Sequence, residues 1–143
     1  MTFSYTLETT AAPETIWSIW TAVGWWPEWD SELLHAELEG DFCLGAVGRL
    51  KPRVGPVSEF LVSQIALGKS YTFTTKLLFC KLHVYRFLEP SNSINKTLFT
   101  HRVSFEGPLS FWFNLLLGPR FKRALPKAMA QIQQLAESEV RAY

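Results

Sequence analysis

Apolar and polar residues alternate from Thr2 to Thr10, with Phe3, Tyr5 and Leu7 on one parity and Ser4, Thr6 and Glu8 on the other. A period of two predicts a half-buried strand. Ala11-Ala12-Pro13-Glu14 then predicts a helix start, because proline in a first turn removes no helical hydrogen bond. Ile16, Trp17, Trp20 and Val23 continue it at helical spacing as far as Gly24. The next stretch, Trp25-Trp26-Pro27-Glu28-Trp29-Asp30, reads as a compact turn, with a second short helix predicted around Asp30 to Leu33.

Strand patterns follow over Leu34–Glu39, Gly48–Lys51, Val57–Ile65, Ser70–Thr75, Leu78–Leu88 and Lys96–Glu106. Turn chemistry separates them at Gly40-Asp41, Pro52 to Pro56, Leu67-Gly68-Lys69 and Pro90 to Asn95. Such short connections imply antiparallel neighbours. The chain closes on a helix: Phe121, Leu125, Met129, Ile132 and Leu135 recur every three or four residues, opposite Lys122, Arg123, Lys127, Gln131 and Gln134. Gly118-Pro119 and Pro126 predict a kink or restart in it. The order strand, two helices, six strands, long helix predicts an α+β fold, a strongly curved antiparallel sheet wrapped around one C-terminal helix.

Composition narrows the function. The 143 residues suit one domain, and 48% hydrophobic against 19% charged residues excludes a disordered chain. Fourteen basic and thirteen acidic residues, without clustering, argue against nucleic acid as a partner. No apolar run approaches the ~20 residues of a membrane span, and no export signal is visible at Met1 to Thr6, so a cytoplasmic location is expected. Cys43 and Cys80 stand alone and read as reduced core thiols. Three histidines and two cysteines without ligand spacing predict no metal, and no cofactor motif is present. Rings are the excess: six Trp, four Tyr and eleven Phe, 15% of the chain.

Three motifs carry a resemblance. Ala12-Pro13-Glu14-Thr15-Ile16-Trp17, then Trp26-Pro27-Glu28-Trp29-Asp30, then Gly45-Ala46-Val47-Gly48-Arg49-Leu50-Lys51-Pro52 with Gly55-Pro56, resemble successive signatures of the START-like, or helix-grip, superfamily (SRPBCC), in its polyketide cyclase/dehydrase-type branch. Thr100-His101-Arg102 leading to Phe105-Glu106-Gly107-Pro108-Leu109 is similar to that family's last strand and its passage into the final helix. The resemblance covers nearly the whole chain. It implies a deep pocket between sheet and terminal helix for lipids, sterols, polyketides or other apolar molecules.

Strand alternation then nominates the wall. On the last strand Phe99, His101, Val103 and Phe105 form the inward set. On the strand before it, Phe79, Lys81, His83, Tyr85 and Phe87 compete with Leu78, Cys80, Leu82, Val84, Arg86 and Leu88. The aromatic set is expected inward, since ligand sites favour flat apolar walls with a few polar handles. Phe60, Val62, Tyr71 and Phe73 extend the wall, with Gln64 as a polar member, and Phe121, Leu125 and Met129 close it from the helix. One of Trp25 and Trp26 is expected at the mouth, and Trp26 joins the candidate ligand-binding set. Trp17, Trp20 and Trp29 lock the first helices to the sheet, and His35 falls on the surface. The same rings could equally fill a solid core; the resemblance favours a cavity.

His83, Tyr85 and His101 are the candidate catalytic groups, an imidazole–phenol set suited to an aldol cyclisation or dehydration. Phe111 to Leu117 is nearly continuously apolar. It is expected to form the pocket entrance, through Phe113 and Leu116, with full burial in the core, transient membrane contact or a second subunit as alternatives. The sequence thus predicts a monomer or homodimer binding a small apolar ligand, with a cyclase and a protein-interaction module as rivals.

Overall fold

The computed structural model describes residues 2–141. Strand β1 (Thr2–Thr9) leads into α1 (Pro13–Thr21), a 3-10 turn (Val23–Trp25) and the single-turn α2 (Trp26–Trp29). Six strands follow: β2 (Leu33–Leu38), β3 (Val47–Pro52), β4 (Ser58–Ala66), β5 (Ser70–Leu77), β6 (Cys80–Pro90) and β7 (Thr97–Glu106). Helix α3 (Ser110–Arg141) completes the chain. Every predicted element is present. The short second helix lies earlier than Asp30–Leu33 because Pro27 suits its first turn. Asp30 ends it, its Oδ1 accepting the Glu32 N–H at 3.0 Å.

All seven strands join one curled antiparallel sheet in the order β1-β7-β6-β5-β4-β3-β2, which grips α3 in the expected α+β arrangement. The β4–β5 register slips between Val62 and Gln64. That bulge turns Gln64 outward, where its side-chain oxygen accepts the Thr72 hydroxyl, so Gln64 is no part of the inner wall. Gly48 is required by packing. A Cβ there would sit 2.3 Å from the Phe60 ring, which crosses the β3 backbone at that point.

Helix α3 runs as one element of 32 residues, with Pro119 and Pro126 inside it, rather than restarting at either. Leu125, Ala128, Met129, Ile132 and Ala136 are buried along its sheet-facing side. The opening turns differ. Phe113 and Leu117 pack on the core, whereas Phe111, Trp112, Leu115 and Leu116 are exposed. Cys80 is buried, but Cys43 is exposed and fills no core. Among the described residues no helix is long and apolar enough to cross a membrane.

Candidate functional site

Between the concave face of the sheet and α3 lies a void of about 1340 Å³. That volume includes an open mouth and a shallow groove by Ser63, Thr74 and His83 on the convex side, so the chamber itself is smaller. Rings form its floor. Trp26 stacks on Phe60 with centroids 5.4 Å apart and leans on Phe73 at 5.3 Å. Val103 of β7 adds to the wall, and Phe113, Leu117, Phe121 and Leu125 of α3 supply the roof. The mouth opens beside Val54 and Val57 of the β3–β4 connection and Leu78 of the β5–β6 turn, all well exposed. An Arg120–Glu32 ion pair at 2.9 Å spans it.

Strand register gathers the polar groups of this wall. Tyr71 on β5 pairs with Arg86 on β6, and Arg86 pairs with His101 on β7. Residues directly opposite in a sheet share a face, so the three form one rung across the inner side. A guanidinium N–H of Arg86 donates to the Tyr71 hydroxyl. That hydroxyl in turn reaches the Trp20 carbonyl at 3.5 Å, which also accepts the Trp26 indole N–H at 2.8 Å. The Arg86 guanidinium carbon sits 4.9 Å from the Trp26 ring, 5.0 Å from Trp29, 5.2 Å from Phe73 and 5.7 Å from Tyr71. Each such contact is worth about 0.5–2 kcal/mol, whereas removing an ion from water costs several. The rings soften that cost without cancelling the charge.

His101 is settled by its partner. Trp20 Nε1 lies 3.0 Å from His101 Nε2. Indole only donates, so Nε2 accepts, and in the neutral ring the proton sits on Nδ1. Burial holds the imidazole well below its usual 6.5, and the Arg86 charge pushes in the same direction. His101 therefore presents an N–H and not a free lone pair. Burial also pushes the Tyr71 phenol and the Asp30 carboxyl upward, opposed in Asp30 by the Glu32 N–H and the Arg86 charge.

Of the residues nominated from sequence, Trp26, Phe60, Phe73, His101, Val103, Phe113, Phe121 and Leu125 line the chamber. Val62, Tyr71, Phe99 and Met129 are fully buried in the surrounding core. Three expectations on β6 are corrected: His83, Tyr85 and Phe87 lie on the convex face. His83 is held there by Thr74 at 2.9 Å and Glu106 at 2.7 Å. Tyr85 stacks on Phe87 under the guanidinium of Arg102, the residue paired with Tyr85 across the sheet. The inner set is instead Cys80, Leu82, Val84, Arg86 and Leu88, which keeps four apolar side chains inside and admits one cation. The two imidazoles thus lie on opposite sides of the sheet, and the His83–Tyr85–His101 catalytic set does not exist. Leu116 is 68% exposed and points away from the chamber. Trp26, not Trp25, reaches the site; Trp25 is exposed. His35 is on the surface beside Glu37. Arg86 was missed.

A curled antiparallel sheet wrapped around one long terminal helix is the helix-grip arrangement, and comparison of the fold agrees. The chain has the START-like fold. It superposes on a START superfamily protein from Mycobacterium smegmatis with a TM-score of 0.70 and 20% identity, covering 94% of this chain and 98% of that one. It matches norcoclaurine synthase from Thalictrum flavum, in complex with dopamine and hydroxybenzaldehyde, at TM-score 0.72 and 14% identity over 96% and 87% of the two chains. The di-domain ARO/CYC StfQ of the steffimycin biosynthetic pathway gives 0.77 at 10% identity, over 97% of this chain and 51% of that one. No family model and no curated protein matches the sequence.

Proposed function

We propose that this chain binds a small apolar or aromatic molecule, of lipid or polyketide character, in the chamber between the sheet and α3. The observation that carries it is a void walled mainly by apolar side chains, with Leu50, Leu82, Phe113, Leu117 and Phe121 only part-buried where a solid core would cover them. The fold is shared with a synthase solved around two aromatic molecules and with a polyketide-pathway ARO/CYC protein, which supports an aromatic or polycyclic body. Burying about 300 Å² of apolar ligand surface would contribute about 7 kcal/mol before the cost of lost motion. Native mass spectrometry of the purified protein, and titration with the neutral dye N-phenyl-1-naphthylamine, test this reading. A retained apolar molecule or a saturable rise in dye fluorescence is expected. Absence of both refutes it.

The exposed rim favours an extension of the same reading. Phe111, Trp112, Leu115 and Leu116 stand out from the first turns of α3, and Leu78 and Phe79 from the β5–β6 turn. The Leu109 N–H bonds to the Phe79 carbonyl, which joins the two segments beside the mouth. Such a rim suits brief contact with a lipid surface while the ligand passes. Co-sedimentation with neutral phosphatidylcholine vesicles, lost in Trp112→Glu, is the expected result.

A further inference from the structure

An apolar chamber leaves Arg86 unexplained. The residue is 5% exposed, and among the described residues no carboxylate oxygen lies within 4.0 Å of its guanidinium nitrogens. Its Nε–H is buried without an acceptor. Trp29 repeats the anomaly, since its Nε1–H is also buried and unpaired. The Trp29 ring lies 5.0 Å from the Arg86 guanidinium carbon and 5.9 Å from the His101 ring. His101 adds the Nδ1–H left over once Trp20 has taken Nε2. All three residues border the chamber, whose empty form seals the two unpaired nitrogens from a water-sized molecule, so a bound oxygen must part the rings around them.

Buried donors are nearly always paired, and a buried cation without a counter-charge is costly. Water would satisfy the neutral N–H groups but not the charge. An anionic oxygen satisfies both. A phosphate asks for more positive charge than one guanidinium supplies, and the Asp30 carboxyl, which burial pushes toward its neutral form against the pull of the Arg86 charge, adds none. Two oxygens with a single negative charge match three donors and one cation.

We propose that the ligand is an organic acid, with an apolar aromatic or aliphatic body in the chamber and a carboxylate received by Arg86, Trp29 and His101. This rests on the chamber reading and names the chemical class of its occupant. The test displaces bound N-phenyl-1-naphthylamine at neutral pH with matched pairs: 2-naphthoate against its methyl ester, and dodecanoate against 1-dodecanol. For at least one pair the acid should compete about tenfold or more better than its neutral partner. Arg86→Met should abolish that preference, Trp29→Phe should reduce it several-fold, and His83→Ala on the convex face should retain it. If Arg86→Met fails to fold by circular dichroism, the wild-type pairs and Trp29→Phe decide. Dye that binds while acids and neutral partners compete alike overturns the carboxylate and spares the chamber. Dye that does not bind, with no apolar molecule retained in native mass spectrometry, overturns both.

Discussion

Replacing His101 by Gln should flatten a pH dependence of stability that the native protein carries between about pH 7 and pH 5. In the unfolded chain the imidazole titrates near 6.5, whereas burial and the Arg86 charge keep the folded ring neutral well below that. The folded value is depressed, so the stability it supports is complete above 6.5 and falls as the pH falls. Only the unfolded state takes up a proton in this window. Each pH unit then costs up to about 1.4 kcal/mol, and integration from pH 7 to pH 5 gives a ceiling of about 2 kcal/mol. Gln keeps an oxygen to accept the Trp20 indole N–H and loses the titration. Asp30, whose carboxyl is raised by burial, acts in the opposite sense but is common to both proteins and cancels in the difference. Urea unfolding followed by tryptophan fluorescence measures the effect. The native protein should lose up to about 2 kcal/mol more than His101→Gln on acidification. Equal losses in the two would mean that His101 is solvated or charged in the fold, and the assignment of its Nδ1–H would fail with it.

Three other substitutions probe separate parts of the structure. Gly48→Ala drives a methyl into the Phe60 ring and should cost about 1–3 kcal/mol, read as a lower thermal midpoint, because the ring cannot retreat from the floor. His83→Ala removes a partly exposed pairing with Glu106 on the convex face. It should change stability by less than about 1 kcal/mol and leave dye affinity unaltered. Leu116→Lys alters a side chain already in water. It should shift stability by no more than about 0.5 kcal/mol yet weaken vesicle co-sedimentation; a large stability loss would show that the residue is packed in solution.

The sequence made the element order readable because each strand carries its own alternation and each turn its own Gly, Pro or Asn. It also made the facing of β7 readable, since Phe99, Val103 and Phe105 outweigh Arg102 and Glu106. On β6 the same reasoning misled. Both parities contain large apolar residues, and the one with more rings resembled a wall. The deciding fact is the register that sets Tyr85 against Arg102, and register comes from the exact turn between Pro90 and Thr97. Arg86 was hidden for a related reason: transfer free energies reject an inward cation, so an arginine in a strand pattern is assigned to the surface. Gln64 depended on a one-residue bulge that no local pattern announces. The chamber itself is a difference between enclosed volume and side-chain volume, which only assembled elements define.

The two prolines of α3 have a dynamic consequence. Neither ring nitrogen carries a hydrogen, so the carbonyls of Leu115 and Lys122 lack their usual helical donors. Both gaps fall near the junction between opening turns that are half in water and a second half pinned by Met129, Ile132 and Ala136. Amide exchange should therefore divide this helix into a fast portion ahead of Pro119 and a slow one beyond Pro126. A rod with two missing rungs beside a doorway can swing at one end while the other stays bolted to the frame.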